Sequence, residues 1–263
     1  VRRVPVRSHR EFSKAGGGMV KRLHLGRAAE SGVLAATLAK NGFSVPATVL
    51  EGKFGYMNVF CHDGDAARLT AGLGEVWKLL TLTLKRYACH VTSHVPVTAA
   101  LELKAKHHIE GDDIAAISIE GSEKMFSHHN ILEPQDMTMA QYSAPFNVAL
   151  SFYRNPREPD SFSEESRNDE KIRALCRKVK VSVRSDPPKN NPLASRVIVK
   201  LKDGREFTCE LPHFPGMPQQ PLNHEQLREK FITITSGVLG AGAEKVFADF
   251  SAIENIADMR GLI

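Results

Sequence analysis

No stretch of this sequence is apolar over the ~18 consecutive residues that a membrane-crossing helix needs. The longest candidate, GVLAATLA, is about half as long and rich in alanine, so no membrane partner is expected. Cysteine is scarce. Cys61, Cys89, Cys176 and Cys209 are the four present. They lie far apart and form no C-x-x-C, which excludes a zinc ribbon and argues against an iron–sulfur hydratase. The basic N-terminus, VRRVPVRSHREF, has no apolar core behind it and does not read as a secretory signal. A cytoplasmic chain with reduced thiols is therefore expected. There is also no long basic block. The net charge of +5 comes from Lys and Arg scattered among acidic residues, and no nucleic-acid-binding signature accompanies it. LEGKFG lacks the G-x-x-x-x-G-K-[ST] spacing of a phosphate loop. In the doublets His107-His108 and His128-His129, adjacent histidines generally point in different directions. They read as solvated loop residues, and no metal is expected. No internal repeat or low-complexity tract is present.

What remains is an ordinary globular composition, 42% hydrophobic and 25% charged over 263 residues. Residues 1 to about 20 read as irregular, with Gly16 to Gly18 conformationally free. Arg27 to Lys40 carries apolar residues at helical spacing and stops at Asn41-Gly42. Residues 65–76 read as a helix weakened by Gly72 and Gly74. LLTLTLKRY alternates Leu and Thr and predicts a strand. Pro96 to Lys106 predicts a helix with proline near its start, and DDIAAISIEG a strand. Met137 to Phe152 predicts a helix kinked or split at Pro145. Asn168 to Cys176 predicts a short helix. KVKVSV and SRVIVKLKDGREFTCEL predict three strands, the last two joined by Asp203-Gly204. HFPGMPQQP is a proline-rich loop. Asn223 with Gln226 three residues on predicts a capping box opening a helix to about Thr235. A last helix covers about Ala243 to Phe250.

Helices thus flank a middle region of mixed elements. The fold class expected is α+β. A partial all-helical domain is formed by both chain ends, and a middle α+β domain carries a mainly antiparallel sheet. The expected boundaries are 1–83 for the first helical part, 84–221 for the α+β domain and 222–263 for helices returning to the helical part.

Two segments concentrate chemistry-bearing residues. Lys21, Arg22 and His24 enter the first helix in VKRLHLG, and cations at the mouth of a small-residue helix make an anion site plausible. Lys85, His90 and His94 lie in LKRYACHVTSH, with Lys85 at the end of the predicted strand, a rigid mount for a side chain. The Pro96 helix follows, and its positive N-terminus would favour a carboxylate. Taken alone, each lysine reads as a surface residue, and His90, Thr92 and Ser93 read as loop and capping residues. Tyr142, in MAQYSAPFN, reads alone as a half-buried tyrosine on an amphipathic helix.

MVKRLHLGRAAESGVLAATLAKNGFSVPATVLEGKFGY, KRYACHVTSH and PLNHEQLREKF together resemble the MmgE/PrpD family. That family includes 2-methylcitrate dehydratases, cis-aconitate decarboxylases and iminodisuccinate epimerases. The resemblance implies a metal- and cofactor-independent carbon–oxygen lyase acting on a small polycarboxylate such as 2-methylcitrate. Lys21 and Lys85 match the family's active-site lysines and would bind carboxylates and stabilise enolate-like charge. His90 and Tyr142 would orient groups or shuttle a proton. His24 stands equally as a supporting substrate-binding residue or as a packed or capping histidine. A homodimer is implied as well. Epimerisation of iminodisuccinate or decarboxylation of cis-aconitate would use the same cations. Family members are much longer, and this chain resembles their C-terminal part. The family's Asp, Thr and His acid–base constellation has no matching position here, which leaves open a third reading, a non-catalytic interaction module.

Overall fold

The computed structural model describes residues 20–186, 188 and 191–258, with only the backbone at 20–22. The irregular reading of residues 1–19 lies outside the described residues. The chain divides into two compact units, Met19–Leu82 and a second that begins at Thr83.

The first unit is helical among its described residues. Helix α1 (Val20–Lys40) starts earlier than the sequence predicts and stops where expected, with Gly42 at φ 87°. That angle suits glycine, which has no Cβ to clash. Two short helices follow, α2 (Tyr56–Phe60) and α3 (Ala67–Thr70). The helix expected over residues 65–76 is thus cut to one turn. Gly72 and Gly74 both adopt positive φ and end it. Many large apolar side chains of this unit stay exposed, Phe54 (84%) and Leu80 (79%) among them.

The strand expected at LLTLTLKRY does not form. Lys78–Thr81 makes a 3-10 turn, and Leu79 and Leu80 are exposed. A strand needs a neighbour for its N–H and C=O groups. Among the described residues, Leu82–Leu84 gains from beyond its own turn only one such bond, Leu84 N–H to the Gly216 carbonyl (2.8 Å). Alternation alone could not supply that neighbour.

The second unit is α+β. After α4 (His94–His107) come β1 (Ile114–Gly121), α5 (Glu123–His129), α6 (Met137–Tyr142) and α7 (Ala144–Ser151). Then follow α8 (Glu164–Asn168), α9 (Glu170–Arg177), β2 (Val179–Val183), β3 (Ser195–Leu201) and β4 (Glu206–Leu211). Helices α10 (His224–Leu239) and α11 (Ala243–Ser251) end the described order of α-helices. The sheet order is β2-β1-β3-β4. β1 pairs parallel with β2 and antiparallel with β3, and β3 pairs antiparallel with β4, so the sheet is mostly antiparallel. The Asp203-Gly204 hairpin forms, with Gly204 at φ 91°. Period-two burial puts Ile117 and Ile119 of β1 and Val197 and Val199 of β3 inside. Helices α4 and α7 pack against this sheet, and α7 also packs on α9. Phe146, Leu150, Ile172 and Leu175 fill the core between them.

Local chemistry explains the helix ends. Pro145 does split its helix, and Ser143 between the pieces caps the second by accepting from Phe146 N–H (3.0 Å). Asp136 and Asp169 cap α6 and α9 in the same way. Asn223 and Gln226 make the predicted capping box, at 2.8 and 3.1 Å. At one end of the sheet a charge network joins Arg184, Asp186, Glu210, Arg196 and Glu120.

Candidate active site

The segment from Leu84 to Ser93 is loop and 3-10 turn, so Lys85 sits in a tethered loop and not at a strand end. Three backbone bonds tie it down. Leu84 N–H meets the Gly216 carbonyl, Ala88 N–H the Pro156 carbonyl (3.0 Å) and His90 N–H the Gln141 carbonyl (2.8 Å). Inside the loop, Lys85 Nζ donates to the Cys89 carbonyl (3.1 Å).

His94 is fully buried and holds the loop from beneath. Tyr87 N–H donates to its Nε2 (3.2 Å), so Nδ1 carries the proton and faces the His90 carbonyl (3.2 Å). Its ring packs on Phe214 (4.6 Å between centroids). Burial first, then the charges of Lys85 and Lys230, push its pKa down to about 3. His94 is therefore a neutral strut. Burial likewise pushes the Cys89 thiol up to about 12, so it offers no thiolate at neutral pH.

His90 points differently. Thr92 offers its hydroxyl (2.9 Å) and its backbone N–H (3.4 Å) to His90 Nδ1. The backbone N–H can only donate, so Nδ1 accepts, and in the neutral ring the proton lies on Nε2. The ring stacks on His129 (4.2 Å, 29°) and approaches Tyr142 (4.7 Å). His129 and Tyr142 are 5.5 Å apart. Three rings from the loop, the end of α5 and the end of α6 thus form one cluster. His129 is 2% exposed, so reading it as a solvated loop residue is corrected. It ends a helix whose Met125 and His129 face inward, and the doublet's two rings go to different environments. His107 is also engaged, stacked on Phe207 (4.0 Å).

A second cation enters from α10. Lys230 is half-buried, and its pKa is lowered, first by burial and then by the charge of Lys85. Like charges disfavour each other's charged form. The neighbouring residue Glu229 is engaged elsewhere, with Arg86 (3.3 Å) and Arg157 (2.5 Å). That clamp fixes α10 against the Lys85 loop. Lys230 also lines a mainly apolar cavity of about 660 Å3 with Leu227, Phe231, Ile234 and Phe247.

Of the residues the sequence singles out, His90 and Tyr142 meet in this unit, and Lys85 lies in the same loop as His90. Lys21 and His24 belong to the other. Lys21's side chain lies outside the described residues, and His24 is exposed on α1. Sequence reasoning missed Lys230, one lysine in an amphipathic helix with no local signal. It also missed the burial of His129. Among the described residues no group of three His, Cys, Asp or Glu side chains is arranged to hold a metal ion.

Gly216 has a specific task. Its φ is 115°, and a Cβ there would lie 2.0 Å from the Leu84 carbonyl oxygen. Gly216→Ala is therefore expected to destabilise the fold by at least about 2 kcal/mol, from backbone strain plus overlap. A urea-unfolding midpoint equal to that of the unaltered chain would contradict this.

Residues 87–254 match the MmgE/PrpD C-terminal domain, and residues 5–69 match the MmgE/PrpD N-terminal domain. The chain belongs to the MmgE/PrpD family. Similar MmgE/PrpD proteins are named cis-aconitate decarboxylase. One from Aspergillus terreus is 27% identical over 94% of this chain and 54% of its own length. One from Mus musculus is 26% identical over 83% of this chain and 46% of its own length. One from Homo sapiens is 27% identical over 91% and 50%. The chain thus spans about half the length of the curated relatives it matches. Both the Lys85 loop and α10 lie within the C-terminal match.

Proposed function

We propose that this chain carries the electrophilic side of the active site of a lyase acting on a small polycarboxylate. The observations that support the reading are the tethered loop that carries both Lys85 and His90, the packing of His90 on Tyr142, and the lowering of the Lys230 pKa by the charge of Lys85. Two ammonium groups held near each other form a standing positive field, and a substrate carboxylate relieves their repulsion. The same field favours the transition state. In decarboxylation, the C–CO2 bond breaks and its electron pair spreads into the neighbouring carboxylate before carbon is protonated. In dehydration, a base removes the proton beside a carboxylate, and hydroxide leaves with a proton from an acid. Either way negative charge grows on a carboxylate, where fixed donors stabilise it most. His90, with Nε2–H in its neutral form, is suited to donate or relay that proton.

The names of the relatives favour cis-aconitate as the first substrate to test, ahead of 2-methylcitrate dehydration and iminodisuccinate epimerisation. A homodimer working in the cytoplasm belongs to the same reading. The test is calorimetric titration of the chain with cis-aconitate, 2-methylcitrate and citrate, followed by turnover assays on cis-aconitate, 2-methylcitrate and iminodisuccinate. Binding lost on Lys85→Ala supports the reading. Binding that is indifferent to Lys85→Ala sinks it.

A second reading, a non-catalytic interaction module, draws on the exposed apolar side chains of Met19–Leu82. Exposed apolar patches mark interaction surfaces. A monodisperse chain that binds a protein partner but no carboxylate would favour it.

A further inference from the structure

His129 is buried at the end of α5, and neither Nδ1 nor Nε2 has a hydrogen-bond partner. A neutral imidazole carries one donor and one acceptor. Burying both unmet costs more than an average hydrogen bond returns, so such groups mark places where water or a ligand joins. The backbone of Tyr142 pulls the ring's pKa upward but does not reach hydrogen-bonding geometry. A second orphan lies close by in the bonding pattern. Asn147 Oδ1 is buried without a partner. Its Nδ2 donates to the Gln141 carbonyl (3.2 Å), the same oxygen that accepts from His90 N–H. The Gln141 carbonyl thus links Asn147 to His90, whose ring stacks on His129. The surroundings keep His129 neutral. Burial, then Lys124 and His128, push its pKa down to about 4.

We propose that His129 is a further binding residue of the polycarboxylate site, its neutral imidazole donating a hydrogen bond to a carboxylate or hydroxyl oxygen of a ligand seated beside His90 and Tyr142. This inference rests on the function proposed above and adds a residue to it. Lys85 and Lys230 supply charge. His129 supplies a neutral, directional donor on a ring locked by stacking.

The test uses the chain labelled with [15N]histidine and titrated with cis-aconitate at pH 7. The ring signals of His90 and His129 are expected to move together and saturate at one concentration. His129→Phe keeps the stacked ring and removes both nitrogens. It is expected to weaken binding about tenfold while the thermal midpoint changes little. His128→Phe, at a ring engaged by Ser127 Oγ (2.8 Å), is the control and leaves binding unchanged. If His90 signals move and those of His129 stay still, the orphan nitrogens hold water only. The inference then falls while the polycarboxylate reading stands. Unchanged affinity in a folded His129→Phe overturns it equally. If neither ring moves and no heat is released, both fall together. Should His129→Phe not fold, the spectra of the unaltered chain decide alone.

Discussion

Lys85→Ala is expected to lower turnover of cis-aconitate by the active protein roughly 10²- to 10³-fold, the usual loss when one preorganised stabilising group is removed. The loss should fall on kcat as well as on kcat/KM, because charge develops on the substrate carboxylate after binding. Lys85→Arg keeps the charge but replaces a compact ammonium with a wide planar fork. Its nitrogens would sit differently from Nζ, now donated to the Cys89 carbonyl (3.1 Å). Partial recovery in the arginine variant would mark charge as the main contribution. Lys230→Ala should act in the same direction and more weakly. Steady-state kinetics on the three variants separate these effects. Unchanged kcat/KM in Lys85→Ala would remove the basis of the proposed function.

The fold is expected to lose stability as pH falls from about 6.5 toward 4. His94 and His129 have folded pKa values of about 3 and about 4, against an ordinary value of 6.5. Above 6.5 both are neutral in either state and contribute nothing to the pH dependence. Below it the unfolded chain takes up protons that the folded chain refuses, so acid favours unfolding. The slope is at most about 1.4 kcal/mol per pH unit for each histidine. The window closes near pH 3 for His94 and near pH 4 for His129. Lys85 and Lys230 face His94, while Lys124 and His128 bear on His129, so neither ring gains a counter-charge that would reverse the sign. Asp186 and Glu210 have pKa values depressed by Arg184 and Arg196, so their contribution is also lost as pH falls, beginning near their ordinary values of 3.8 and 4.5. Urea-unfolding free energies at pH 7.5, 6.0 and 5.0 test this. Stability should fall across the series, with a shallower slope in His129→Phe. A flat series would mean that these rings protonate in the folded state or lie open to water.

Local features were legible in the sequence wherever the chain's near neighbours decide structure. The capping box at Asn223 and Gln226, the break at Pro145 and the hairpin at Asp203-Gly204 all depend on bonds within a few residues. LLTLTLKRY failed for the converse reason, since alternation states a preference that only a neighbouring strand can satisfy. Lys85 and His90 fall five residues apart in one motif, yet their roles came only with the family resemblance. Tyr142 needed the family resemblance, because a tyrosine on an amphipathic helix says nothing of what its ring meets.

The sequence by itself determined an α+β chain, several of its helix and hairpin ends, and the MmgE/PrpD resemblance. Tertiary structure alone decided that Lys230 of α10 shares a field with Lys85, that Gly216 must lie against Leu84, and that one histidine of a doublet is buried with both nitrogens unmet. Propensity and periodicity report on contacts within a few residues. Burial, desolvation and the meeting of like charges arise only when distant segments pack.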